Sequence, residues 1–293
     1  MAFSEAYRQS LFFALWSIKR SHQDWRSFFI FVIHLLFTVT AHAVTSAVLP
    51  LDCSAIIFSA ETKDLPYRIT DSYPHRAHAF TQGLVYEKGH LYESTGQLGE
   101  SSVAKIRLKD GKVIQHKAID NTLFGEGLAI WQDQLIQLTW TSGQVLRHKK
   151  TDLSLISQQS IDTEGWGLTH NGQHLINTDG SAKIYYRDPI SLALVKTVTA
   201  TYLNRPIKKL NELEWVDQCL LANIWQTPYI AVIQPDSGKV LGLIDLSVII
   251  KKEQQQSSAG VANGIAVLPS QQSLLITGKY WRRVYQLQFI DKD

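Results

Sequence analysis

From about residue 80 to residue 289 the chain alternates short apolar runs with tight-turn residues and shows no sustained helical period. Leu84-Val85-Tyr86, the turn Glu87-Lys88-Gly89-His90 and Leu91-Tyr92 predict one hairpin. Asn171-Gly172 predicts a second, between Gly167-Leu168-Thr169 and Leu175-Ile176, because both residues tolerate the backbone that a two-residue turn needs. Asp110-Gly111, Asp188-Pro189 and Gln234-Pro235-Asp236-Ser237-Gly238 mark further turns. The exception is residues 246–256, read as a short inserted helix and followed by a loop at Ser257-Ser258-Ala259-Gly260.

These hairpins belong to a weak internal repeat. Five segments open on a similar pattern: Thr81-Gln82-Gly83-Leu84, Gly125-Glu126-Gly127-Leu128, Gly165-Trp166-Gly167-Leu168, Asn211-Glu212-Leu213-Glu214 and Ala262-Asn263-Gly264-Ile265. Their second positions fall at 82, 126, 166, 212 and 263, so the spacings are 44, 40, 46 and 51. A four-stranded propeller blade takes roughly 40 to 50 residues. The expectation is an all-β fold, a five-bladed β-propeller, as a single domain over residues 44–293. Residues 55–80 are expected to supply the strand that closes the ring on the last blade. A β-sandwich with extra strands is the rival architecture.

Composition limits the class of protein. With 45% hydrophobic and 19% charged residues, the chain can bury a large core. Residues 1–43 carry Arg8, Lys19, Arg20 and Arg26 against Glu5 and Asp24, which is +2 of the total +3. The body is nearly neutral and its basic pairs, such as Lys208-Lys209 and Arg282-Arg283, are isolated; no nucleic acid is expected as a partner. Phe28 to Val39 reads FFIFVIHLLFTV, after Arg26 and before Ala41-His42-Ala43, the pattern of a secretory signal peptide. The expectation is export to the periplasm or the medium. An uncleaved leader is instead an N-terminal membrane anchor, the membrane contact that this sequence offers. Two cysteines, Cys53 and Cys219, either form one bridge or are two buried thiols. A monomer is the default.

The repeat starts hold more chemistry than a structural repeat needs: Gln82, Glu126, Trp166, Asn211 and Asn263. In a propeller such positions gather at one end of the central channel. The strand ends that follow add Trp140, Trp225 and Lys279. Aromatic walls with few polar groups are the usual make-up of a small-molecule site. Trp131 and Trp215 are read as core. Of Glu212 and Glu214, one is expected to face the channel and one to pack between blades. Gly83, Gly127 and Gly167 are expected to allow close packing of inner strands. No HExxH, paired Cys/His cluster, GxSxG elbow or phosphate loop is present, so neither a metal ligand set nor a cofactor is assigned.

Ten segments in order resemble the signature segments of the metal-free glutaminyl cyclase (glutamine cyclotransferase) family: Phe80-Thr-Gln-Gly-Leu84, Glu93-Ser-Thr-Gly96, Phe124-Gly-Glu-Gly127, Leu138-Thr-Trp140, Glu164-Gly-Trp-Gly-Leu168, Thr178-Asp-Gly-Ser181, Leu210-Asn-Glu-Leu-Glu214, Ala222-Asn-Ile-Trp225, Asn263-Gly-Ile-Ala266 and Thr277-Gly-Lys279. The resemblance implies a five-bladed propeller that closes N-terminal glutamine of peptides or proteins into pyroglutamate. It implies Glu126 as the catalytic acid and Phe80, Gln82, Phe124, Trp140, Trp166, Asn211, Trp225 and Lys279 as substrate-binding residues. One departure stands out: Arg282 follows Trp281 where the family usually has Pro. The alternatives are a metal-dependent lactonase-type propeller, which needs carboxylates and amides converging on an axial metal, and a non-catalytic peptide-binding propeller.

Overall fold

The computed structural model describes residues 63–256 and 258–290. The predicted leader over residues 1–43, and Cys53, lie outside the described residues. Two strands precede the repeats, β1 (Lys63–Asp64) and β2 (Tyr67–Pro74). Blade 1 is β3 (Thr81–Glu87), β4 (His90–Thr95), β5 (Ser102–Arg107) and β6 (Val113–Ala118). Blade 2 is β7 (Gly125–Trp131), β8 (Gln134–Thr139), β9 (Gln144–Lys149) and β10 (Leu155–Ser160). Blade 3 is β11 (Leu168–His170), β12 (Leu175–Thr178), β13 (Lys183–Arg187) and β14 (Leu194–Thr199). A small hairpin, β15 (Thr201–Tyr202) and β16 (Arg205–Pro206), follows. Blade 4 is β17 (Leu210–Val216), β18 (Cys219–Ile224), β19 (Tyr229–Ile233) and β20 (Val240–Asp245), with β1 added in parallel to β20. The predicted helix is α1 (Ser247–Gln254). Blade 5 is β21 (Ala262–Leu268), β22 (Ser273–Gly278) and β23 (Arg283–Phe289), completed on its outer edge by β2.

The inner strands touch in cyclic order, β3 to β7, β7 to β11, β11 to β17, β17 to β21 and β21 back to β3, which makes a closed ring of five blades. The pairing of β2 with β23 joins the beginning of the described chain to its end, as expected for residues 55–80. Burial follows the radius. The first four residues of β3 are buried, whereas β6 and β10 are exposed over most of their length. Between blades the faces are apolar, as where Leu84, Leu91, Ala104 and Ile106 of blade 1 pack on Ala266, Leu275 and Val284 of blade 5. A single sheet cannot cover both of its faces, so each blade is stable only with its neighbours in place.

Glycine sets how close the inner strands come. A Cβ on Gly83 would collide with the backbone of Leu128, one on Gly127 with Gly167 and Leu168, and one on Gly167 with the carbonyl of Asn211. Each bare face therefore lies on the next blade's inner strand, as the sequence suggested. The hairpin at Asn171 reverses over Gly172-Gln173: Asn171 N–H donates to the His174 carbonyl, and Asn171 Oδ1 caps the amides of Gln173 and His174. Trp131 and Trp215 pack against the core, as read. Cys219, fully buried on β18, is disulfide-bonded, and its partner lies outside the described residues.

The reading of Glu212 and Glu214 is corrected. Both bridge inner strands around the channel. Glu212 accepts from the amides of Leu84 and Ile265, at 3.3 and 2.8 Å. Glu214 accepts from the amide of Val267 at 3.1 Å and from Thr169 Oγ1 at 3.3 Å. The channel edge of an inner strand has no further strand to pair with, and its buried amides need acceptors. Burial raises both carboxyls, Glu212 well above the ordinary range and Glu214 to about 8.

Candidate active site

The site residues sit where the β-ladders break. In blade 1 the pairing jumps from Thr81–Thr95 to Gly83–Ser94, which leaves Gln82 as an extra residue. In blade 2 it jumps from Gly125–Thr139 to Leu128–Gln137, so Glu126 and Gly127 oppose Leu138 alone. Asn211 and Glu212 stand in the same relation to Asn223 in blade 4, and Asn263 and Gly264 to Thr277 in blade 5. Blade 3 is irregular at the same place: Trp166 N–H donates to the Thr178 carbonyl, and Thr178 N–H to the Gly167 carbonyl, before β11 begins. A bulge frees a residue from strand pairing and re-aims its side chain.

These re-aimed side chains meet. Gln82 Nε2 donates to Glu126 Oε1 at 2.7 Å, and Asn263 Nδ2 donates to Gln82 Oε1 at 2.9 Å. Glu126 is buried, and its Oε2 has no hydrogen-bond partner among the described residues. Burial raises its carboxyl well above the ordinary range; the charge of Lys279 opposes that rise and the charge of Glu164 adds to it. Lys279 Nζ lies 4.3 Å above the Phe80 ring, and burial lowers its ammonium to about 8. A cation over an aromatic face is stabilised by the ring quadrupole. Asn211 is also buried, with its Oδ1 unpartnered among the described residues.

Aromatic rings wall the site in two groups. Phe80 meets Phe124 edge-on at 5.9 Å, and Phe124 meets Trp140 at 5.6 Å. Trp166 meets Trp225 at 5.7 Å, nearly perpendicular. Glu164 joins the groups: one of its carboxylate oxygens accepts from the indole nitrogens of both Trp140 and Trp166, each at 2.9 Å. The wall is seated on glycine, since a Cβ on Gly96 would enter the Phe124 ring and one on Gly180 the Trp166 ring. Trp140 remains 41% exposed, on the rim. All nine residues predicted for the site thus lie on inner-strand starts or on the strand ends and loops beside them.

Sequence reasoning missed three contributors. Glu164 lies in a matched segment, yet only its position between two indoles gives it a part. Tyr280 stands edge-on to Phe80 at 5.4 Å. Glu93, buried on β4, accepts from His75 Nε2 at 2.8 Å, Thr81 Oγ1 at 2.7 Å and Arg76 Nε at 2.9 Å. It ties the stretch leading to Phe80 to blade 1, and the charge of Arg76 with the contacts from His75 and Thr81 holds its carboxyl far below the ordinary range despite burial. The departure at Arg282 has a local explanation. Its N–H, which Pro would lack, donates to Glu253 of α1 at 2.9 Å. Glu253 also accepts from Tyr285 Oη at 2.6 Å, and Trp281 beside it is 0% exposed. The loop after Lys279 is therefore anchored by the inserted helix. Among the described residues no group of three or more His, Cys, Asp or Glu is placed to hold a metal ion.

In a closed propeller, buried Glu126 and Lys279 beside an aromatic wall have the make-up of an enzyme site. Residues 37–289 match the family model for glutamine cyclotransferase, and the chain belongs to that family of enzymes. A glutaminyl-peptide cyclotransferase from Arabidopsis thaliana is 36% identical over 239 residues, which cover 78% of this chain and 75% of that protein. The crystal structure of Myxococcus xanthus glutaminyl cyclase superposes with a TM-score of 0.74 at 32% identity, over 80% of this chain and 100% of the other.

Proposed function

We propose that this protein converts N-terminal glutamine into pyroglutamate with release of ammonia, and that Glu126 carries the proton. The α-amine attacks the γ-amide carbon; a C–N bond forms, the bond to the amide nitrogen breaks, and ammonia leaves. The amine is mostly protonated near neutrality, with a pKa of about 7.7 to 8. Its proton must go before attack, and one must reach the departing nitrogen. A carboxyl raised by burial exchanges protons with such an amine at little cost, help typically worth about 10² to 10⁴ in rate.

The observation that carries this reading is the state of Glu126, with one oxygen held by Gln82 and the other unpartnered and buried among the described residues. That second oxygen suits an ammonium donor. The unpartnered Asn211 Oδ1 suits an N–H of the substrate, and Lys279 suits the oxyanion that develops on the amide carbon. Phe80, Phe124, Trp140, Trp166 and Trp225 hold the glutamine side chain folded towards its own amine, which supplies the proximity an intramolecular closure needs. The family membership and the relatives named above support the same reaction.

The test is release of ammonia from a Gln-initiated dipeptide, with and without a chelator. Release that chelation leaves unchanged is expected, and it separates this chemistry from a metal-dependent lactonase. Glu126→Gln is expected to lower kcat by about 10² or more. Near-full turnover in a folded Glu126→Gln protein overturns the role of Glu126.

A further inference from the structure

Asn263 is fully buried at the bulge of blade 5 and is not among the residues that contact the substrate in the proposed reaction. Its Nδ2 donates to two oxygens of blade 1, the Thr81 carbonyl at 3.0 Å and Gln82 Oε1 at 2.9 Å. Gln82 donates from its other end to Glu126 Oε1 at 2.7 Å. The bulges of blades 5, 1 and 2 are thus joined in series across two blade boundaries.

Direction matters in this series. An amide side chain has one accepting and one donating end. With its oxygen held by Asn263, Gln82 can only offer N–H to Glu126. In the opposite orientation Gln82 Oε1 would face Glu126 Oε1, an arrangement that repels a carboxylate and suits only a protonated carboxyl. The donors of Asn263 have acceptors on both sides, while its Oδ1 is buried without a partner among the described residues. A residue kept only for packing gains nothing from that unmet acceptor.

We infer that Asn263 is a positioning residue: it orients the Gln82 amide so that Glu126 receives a hydrogen bond favouring its ionised form, leaving Oε2 for the substrate ammonium. The inference rests on the reading of Glu126 as the proton carrier.

The experiment is a double-mutant cycle of Asn263→Ala and Gln82→Ala on the full chain. The kcat and KM of a Gln-initiated dipeptide are measured across pH, and the Tm of each variant is recorded. A donor lost from an ionised carboxylate raises its pKa, so Asn263→Ala is expected to move the acidic limb of kcat upward by about one pH unit and to lower kcat about ten-fold near neutrality. In the Gln82→Ala background the same substitution is expected to change kcat by less than about two-fold, because both act through one hydrogen bond. Asn263→Asp, isosteric but presenting an acceptor to Gln82, is expected to move the limb further, and it carries the test if the alanine variant does not fold. An unmoved limb, or effects of the two alanine substitutions that multiply, overturns the inference. Glu126→Gln in the same assay keeps the two questions apart. Full turnover there removes the reading of Glu126. Lost turnover together with a multiplicative cycle removes only the role of Asn263.

Discussion

Trp140 and Trp166, 26 positions apart in sequence and on different blades, donate their indole N–H groups to the same carboxylate oxygen of Glu164. The two halves of the aromatic wall therefore share one hinge. Trp140 is partly exposed, so the wall's rim depends on Glu164 for its position.

Glu164→Ala is expected to leave Tm nearly unchanged and to raise KM about ten-fold, since two hydrogen bonds that orient rings are lost while the core is untouched. The charge on Glu164 also pushes the Glu126 carboxyl upward. Removing that charge makes ionised Glu126 less costly, so the acidic limb of kcat should move to lower pH. Initial rates across pH for both proteins check the sign, which is opposite to that expected for Asn263→Ala.

Glu214 predicts a pH dependence of stability. Its carboxyl is raised from 4.5 to about 8 by burial, so between these values the folded protein holds a proton that the unfolded chain has lost. Stability should fall as pH rises through that window. Glu214→Gln keeps an oxygen for the Val267 amide and removes the titration. Its Tm is expected to exceed that of the parent at pH 8, with the two converging near pH 4.5. Thermal melts at four or five pH values are sufficient.

Glu93→Ala should be costly in a different way. It leaves His75, Arg76 and Thr81 without their shared acceptor at the closure of the ring. Loss of one member of a buried ionic cluster typically costs about 3 to 5 kcal/mol. The expected outcome is a lowered urea midpoint together with a raised KM, because Phe80 follows directly on this stretch. A variant with full stability would show that the cluster is not holding the closure.

Gly167→Ala tests the spacing of the ring. The added methyl would meet the carbonyl of Asn211, a backbone atom that cannot rotate away. A cost of about 2 to 3 kcal/mol is expected from overpacking, with turnover impaired because Trp166 and Asn211 flank the contact.

The number of blades, their strands, the closing strand and α1 were legible in the sequence, because turn residues and apolar runs report local backbone geometry. The nine candidate positions were assigned through the resemblance, since their segments follow one another in the same order. Two kinds of fact were not. Glu212 and Glu214 were misassigned because alternation describes the two faces of a sheet, and says nothing of the third direction, the edge facing the channel, where both carboxylates meet backbone amides. Glu164 and Glu93 each open a matched segment, but their parts were not legible, because Trp140, His75 and Arg76, the partners that define them, lie in other segments.

By itself the sequence determined the repeat, the five-bladed ring and which residues stand at the inner-strand starts. Only the tertiary structure decided how those residues face one another: the bulges that turn Gln82, Glu126, Asn211 and Asn263 out of their ladders, the order of donors running from Asn263 through Gln82 to Glu126, and the carboxylate shared by two indoles. The reason is physical. A strand's period is a property of one chain segment, whereas the direction of a hydrogen bond and the burial of a charge depend on what the neighbouring blades bring to the same point.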